Sequence, residues 1–184
     1  MFVNGINLHV VQAGPADGPL VILLHGFPEF WYGWRSQIAA LAEAGYCVWA
    51  PDQRGYNRSD KPQGIDAYQM DLLAADVIGL IDAAGRQQAH IVGHDWGAAV
   101  TWRVANRHPQ RVATASILNV PHPLVMSHYV LRHPSQMLRS TYIAFFQIPG
   151  LPERLLEINH WQPMVDAIRR TGPPAIFPDA VMDA

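Results

Sequence analysis

Ala89-His90-Ile91-Val92-Gly93-His94-Asp95-Trp96-Gly97 is an apolar run that ends in a carboxylate, with a glycine two positions away on either side. Small residues at those positions leave room for a sharp strand-to-helix turn that holds a nucleophile at its apex. A serine there attacks acyl carbons. A carboxylate displaces a leaving group from an alkyl carbon and becomes an ester. The helix that follows would aim its unpaired N–H groups and positive dipole end at Asp95, favouring the ionised form. The same pattern also fits a structural aspartate that caps a helix, so by itself it leaves both readings open.

The flanking sequence repeats a strand–helix alternation. Leu20 to Leu24 is a continuous apolar run, as expected of a strand buried on both faces. Trp34 to Ala44 places Ile38, Leu41 and Ala42 on one side and stops at Gly45, predicting a helix. Tyr46 to Ala50 predicts the next strand, and Asp66 to Ala84, with Met70, Leu73, Val77, Leu80 and Ile81 in helical spacing, a longer helix closed by Gly85. Gly97 to Asn106 predicts the helix leaving the turn, and Val112 to Val120 a further strand. At the amino end, Phe2 to Val11 predicts a hairpin turning at Asn4-Gly5. Such alternation predicts a parallel sheet covered on both faces, with ligands at the carboxyl ends of its strands.

After Pro121-His122-Pro123 the strand-like runs end. The sequence becomes helical and aromatic, with Tyr129, Tyr142, Phe145, Phe146 and Trp161, broken by Pro134, Pro149, Pro152, Pro163 and Pro173-Pro174. This predicts a core over residues 1–120 and a helical insertion over 121–184. Most of those aromatics fit the core of a small helical lid. A tyrosine facing the turn would instead be placed to protonate a leaving oxygen.

Composition narrows the partners. Of 184 residues, 49% are hydrophobic and 15% charged, enough apolar surface for a globular core. The net charge of −2, without a basic cluster, argues against nucleic acid or an anionic membrane as partner. The lone Cys47 sits in an apolar run, which excludes an intrachain disulfide and a cysteine zinc site and predicts a buried thiol. The amino end has no signal-peptide pattern and no run reaches membrane-spanning length, so a cytoplasmic location is expected. No metal or cofactor is expected, and oligomeric state is open.

Two more stretches fall at predicted strand ends. His25-Gly26-Phe27-Pro28 follows the Leu20–Leu24 run, where an oxyanion hole takes its second N–H donor. The first comes from the residue after the nucleophile, which pairs Phe27 with Trp96. A plain Gly-Pro-type turn is the simpler alternative. Asp52-Gln53-Arg54-Gly55-Tyr56-Asn57-Arg58-Ser59-Asp60-Lys61-Pro62 follows the Tyr46–Ala50 run.

Together, these three motifs resemble the epoxide hydrolases of the α/β-hydrolase fold, with the same spacing along essentially the whole chain. The resemblance implies a mostly parallel sheet with helices on both faces and a helical cap that is cut short. It implies that Asp95 attacks a carbon of a small apolar epoxide, with the Phe27 and Trp96 amides as oxyanion hole and a cis peptide at Pro28. Water, activated by a histidine–acid pair, then releases a vicinal diol. Ser140 to Gln147 resembles the cap segment that carries a ring-opening tyrosine, which falls on Tyr142. His25, Trp31, His94 and Phe146 are expected to line the substrate site. The relay acid, the catalytic histidine and a second cap tyrosine are expected downstream of this segment. None of His122, His128, His133 or His160 falls at the base's position, and each fits a cap or surface histidine. Asp179 to Ala184 looks like the middle of a cap helix, so the chain is expected to be a fragment that can form the ester but not release it.

Two alternatives stand beside this. A dehalogenase shares the fold and the aspartate, and its tryptophan after the nucleophile helps hold halide. Such enzymes tend to carry a polar residue at the Phe27 position, and those acting on fluoroacetate an arginine where Trp96 stands. The other alternative is an inactive binding protein on the same scaffold.

Overall fold

The computed structural model describes residues 1–146, 148, 150–157, 161–162 and 164–166, without the side chains of Arg139, Tyr142, Ala144 and Glu153. It divides into two compact units, Met1–Met126 and Ser127–Ala184. The division falls six residues later than the sequence boundary at residue 120.

In the first unit, β1 (Phe2–Val3) and β2 (Ile6–Asn7) form a separate two-stranded ribbon. Asn4 and Gly5 at its turn both have left-handed φ, 47° and 78°, as a tight two-residue hairpin turn requires. The predicted hairpin is therefore shorter than expected. β3 (Val10–Ala13) leaves it and pairs antiparallel with β5 (Cys47–Pro51), Val10 opposite Pro51. Leu8 is buried at the crossing, and the His9 ring bonds Asp52, which fixes the chain at that sheet edge.

The main sheet has the order β3-β5-β4-β6-β7, with β4 (Leu20–Leu24), β6 (Ala89–His94) and β7 (Val112–Leu118). β5, β4, β6 and β7 run parallel. β4 is buried on both faces, and its residues alternate between two clusters. Leu20, Ile22 and Leu24 pack with Trp49 and Ile91 against α2 (Met70–Ala83) and α3 (Trp96–Arg107), through Leu73, Val77, Leu80, Val100 and Val104. Val21 and Leu23 face the other way, toward Val48, Trp34 and Ile38 of α1 (Arg35–Glu43). One helix layer thus covers each face, as the unbroken apolar run predicts. β7 is an edge strand and mostly exposed. Cys47 is buried.

Two predicted helices begin differently. The first opens with a 3₁₀ turn at Trp31–Trp34. The second breaks at Gln69, which is extended (ψ 141°), leaving a 3₁₀ turn at Ile65–Tyr68 before α2. Tyr68 explains the break: its ring packs so closely on Gly55 that a Cβ there would lie 2.7 Å from it. Docking the ring on the Gln53–Asp60 loop takes precedence over helix continuity.

α4 (Pro123–Arg132) begins in the first unit. The second unit contains α5 (Pro134–Arg139), α6 (Thr141–Phe145) and α7 (Leu151–Glu157). Pro134 and Pro152 open helices instead of breaking them, since a first-turn residue needs no N–H partner. Pro149, His160, Pro163, Pro173, Pro174 and the expected terminal helix at 179–184 lie outside the described residues.

Candidate active site

The loops after β4, β5, β6 and β7 gather at the carboxyl edge of the sheet. Asp95, between β6 and α3, has φ 49° and ψ −116°. That left-handed backbone costs about 1–3 kcal/mol for a residue with a side chain. The glycines around it are close-approach positions. A Cβ on Gly93 would lie 2.3 Å from Thr101 Oγ1, and one on Gly97 would lie 2.3 Å from the Leu24 carbonyl oxygen. The first turn of α3 is therefore pressed onto the end of β4, which raises Asp95 as the apex.

The capping alternative fails on geometry. Asp95 stands at the N-cap position, yet its side chain makes no capping bond. Its carboxylate turns to the other loop, where the Phe27 N–H donates to Oδ1 at 3.0 Å. Among the first N–H groups of α3, Gly97 donates to the His25 carbonyl, and Ala98 and Ala99 donate to the Asp95 carbonyl. Among the described residues, the Trp96 N–H has no hydrogen-bond acceptor. Phe27 and Trp96 are both exposed (47% and 42%), and the Phe27–Pro28 peptide is cis.

His25 is among the residues expected to line the substrate site. It is wholly buried, with Nε2 accepting from the Gln53 N–H at 3.0 Å and Nδ1 2.9 Å from the Gly26 carbonyl. Burial holds its imidazole below the usual range, outweighing the Gly26 bond and the charges of Asp52 and Glu29. A neutral ring with both nitrogens engaged is a strut for the loop. His94 likewise has both nitrogens engaged, Nδ1 3.3 Å from Glu29 Oε2 and Nε2 2.9 Å from Asn119 Nδ2. Both ring nitrogens therefore have partners among the described residues. Trp31 is half-buried, its N–H donates to Asp52 Oδ1, and its ring meets Phe30 and Tyr32 edge-on. Phe146 follows α6 in the second unit and exposes its ring. Tyr142 is the second residue of α6, and its side chain lies outside the described part.

Sequence reasoning overlooked Glu29, Tyr56 and Asn119. Glu29 directly follows His25-Gly26-Phe27-Pro28, a position where any carboxylate invites notice. Tyr56 packs edge-on to His25 at 4.7 Å. Its hydroxyl is pushed up to about 12 by burial and, secondarily, by the Asp95 charge. Asn119 stands one residue past β7 with φ 69°. Its signal is an asparagine at a strand end, a residue type that tolerates that conformation. Among the described residues no group of three or more His, Cys, Asp or Glu side chains could hold a metal ion. No helix among them is long and apolar enough to cross a membrane.

Comparison with known proteins places this geometry. Residues 19–156 match the family described as alpha/beta hydrolase fold. AB hydrolase superfamily protein YfhM of Bacillus subtilis is 52% identical over 174 residues, covering 95% of this chain and 61% of that protein. Epoxide hydrolase A of Mycobacterium tuberculosis is 45% identical over 177 residues, covering 93% of this chain and 54% of its own. The crystal structure of epoxide hydrolase A from Mycobacterium thermoresistibile superposes with a TM-score of 0.73 at 43% identity, over 85% of this chain and 50% of its own. The chain thus spans between 50% and 61% of the length of these proteins. Its elbow, the His25–Pro28 loop and the parallel sheet all lie within the matched segment, and the chain belongs to the α/β-hydrolase fold family.

Proposed function

We propose that Asp95 is the nucleophile of an epoxide hydrolase and that the whole protein converts small apolar epoxides to vicinal diols. One observation carries this reading. The Asp95 carboxylate ignores the helix it precedes and gives one oxygen, Oδ1, to the Phe27 N–H. Oδ2 makes no hydrogen bond among the described residues, so it is the oxygen free to attack.

The chemistry follows from that split. Oδ2 attacks an epoxide carbon, the ring C–O bond breaks, and the ring oxygen takes a proton, a role assigned to Tyr142. The carbonyl oxygen of the new ester is Oδ1, already beside the Phe27 amide. When water attacks the ester carbon, negative charge develops on that same oxygen, and the Phe27 and Trp96 N–H groups are the donors assigned to it. A single lost donor of this kind costs about 2.7–4 kcal/mol of barrier. The exposed Phe27 and Trp96 rings form an apolar rim suited to an uncharged substrate. Half-buried Trp31 is assigned to the substrate site, and residues 121–184 to the cap. Relatives named as epoxide hydrolases support the substrate class.

The test uses the 184-residue chain and a reactive aryl epoxide, with peptide mass spectrometry as readout. An adduct on Asp95 is expected. A folded sample that acquires none, while releasing halide from a chloroalkane, would replace this reading with the dehalogenase.

A further inference from the structure

The N–H that Phe27 gives to Asp95 belongs to the Gly26–Phe27 peptide unit, which is trans, the cis bond lying one residue later. In a planar trans peptide the carbonyl and the N–H point in opposite directions. The Gly26 carbonyl accepts from His25 Nδ1 at 2.9 Å and from the Glu29 N–H at 3.0 Å. With its oxygen held there, the same plane aims its N–H at Asp95 Oδ1, 3.0 Å away. Turned over, it would present a carbonyl oxygen to a carboxylate. The His25 ring therefore helps to set which way this peptide faces.

Gln53 grips His25 twice. Its backbone N–H donates to His25 Nε2 at 3.0 Å, which leaves the proton of a neutral ring on Nδ1, where it serves the Gly26 carbonyl. Its side-chain Nε2 donates to the His25 carbonyl at 2.6 Å. The Gly97 N–H, in the first turn of α3, donates to that same oxygen at 3.1 Å. One carbonyl thus joins the loop after β4, the loop after β5 and the helix that follows Asp95. Gln53 is buried and is fixed on both sides. Asp52 before it is wholly buried, and Arg54 after it makes two bonds to Asp76 of α2, at 2.8 and 2.7 Å. The Tyr56 N–H returns to the Gln53 carbonyl at 2.9 Å, and the Tyr56 ring packs edge-on to His25. The grip is anchored outside the loop it holds. At the far end there is little slack, since a Cβ on Gly26 would lie 2.6 Å from Asp95 Cβ.

We propose that Gln53 is a positioning residue for the attack. Through its two bonds to His25 it keeps the Gly26–Phe27 peptide with its N–H on Asp95 Oδ1, so that Oδ2 is the oxygen presented to the substrate. This rests on Asp95 being the nucleophile. Gln53 makes no hydrogen bond to Asp95 among the described residues, and its effect passes through His25.

The test follows the Phe27 amide by NMR in the 184-residue chain and, separately, the rate at which the aryl epoxide labels Asp95. Gln53→Leu keeps the backbone donor and removes the side-chain one. The Phe27 amide should then exchange with solvent about tenfold faster and move upfield, while the Ile91 amide in the middle of the sheet keeps its rate. Labelling should slow about tenfold, the upper end of what one hydrogen bond contributes. Gln53→Glu gives a signature that a merely structural role would not. Its carboxyl can donate to the His25 carbonyl only while protonated, so the Phe27 amide should show a step in its pH titration that the wild type and Gln53→Leu lack. Circular dichroism checks that each variant is folded. An unchanged Phe27 amide or an unchanged labelling rate in folded Gln53→Leu would overturn the inference and leave Asp95 as nucleophile. If Gln53→Leu does not fold, the titration in Gln53→Glu decides, and absence of the extra step overturns the inference. A folded wild-type chain that never labels overturns the nucleophile itself, and this inference with it, even where the Phe27 amide responds.

Discussion

Two aspartates stand just past parallel strands that flank β4 on either side, β5 and β6, and they could hardly be treated more differently. Asp52, just past β5, is wholly buried. Its Oδ2 lies 2.7 Å from His9 Nδ1 and 2.9 Å from Asn57 Nδ2, and its Oδ1 takes the Trp31 N–H at 3.0 Å. Even its carbonyl accepts from Ser59 Oγ. Asp95, just past β6, is half-buried, strained, and bonded at one oxygen only. The same side chain at equivalent strand ends becomes a fastener in one place and, in the reading proposed above, a reagent in the other. What separates them is how many donors the surrounding loops supply.

That contrast can be broken by substitution. Asp95→Asn should reduce epoxide labelling by more than about 10³-fold, as expected when a nucleophile is removed, with the urea midpoint nearly unchanged. An unchanged labelling rate would make Asp95 another fastener. Asp52→Ala strips a buried carboxylate from several donors and should cost about 3 kcal/mol in urea unfolding. It should impair labelling only as far as it unfolds the chain. Asp95→Gly removes the left-handed strain and should stabilise the fold by about 1 kcal/mol. A destabilised glycine variant would mean that the backbone there is not under strain.

Tyr56 offers the subtlest probe. Its folded pKa is raised from 10.0 to about 12, first by burial and then by the Asp95 charge. A raised folded value means that the neutral form is favoured in the native state. The associated stability is therefore fully present below pH 10 and fades as the pH climbs toward 12. Tyr56→Phe should flatten the loss of stability over that window, as read by urea unfolding at several pH values. Alkylating Asp95 removes one cause of the shift, so tyrosinate absorbance should then appear at lower pH than in the unlabelled protein.

Much of this was legible in residues close together in sequence. The unbroken Leu20–Leu24 run gave a strand buried on both faces, and Gly45 and Gly85 fell just past helix ends, each with left-handed φ. Gly93 and Gly97 announced the elbow because a close approach leaves few other choices. What escaped depended on partners far along the chain. Nothing near His25 says that Gln53 will fill its Nε2, and nothing near His94 says that Asn119 will meet it across a strand pair. Sequence spacing carries periodicity, but register decides which side chains face each other. The early end of the hairpin after Asn7 and the break at Gln69 have the same origin, since each was settled by a contact with the 52–60 segment.

Thr101 adds a mechanical consequence. Its buried hydroxyl donates to the Gly97 carbonyl and touches the space that a side chain at Gly93 would need. The Gly97 amide is itself tied to the end of β4. Strand, turn and helix are thus stitched together at the point of greatest strain, so the turn cannot relax without parting β4 from α3. In hydrogen exchange, the amides of Gly97 to Thr101 should open only with the whole unit. Asp95 would then keep its backbone geometry until the moment the fold is lost, with no gradual loosening beforehand.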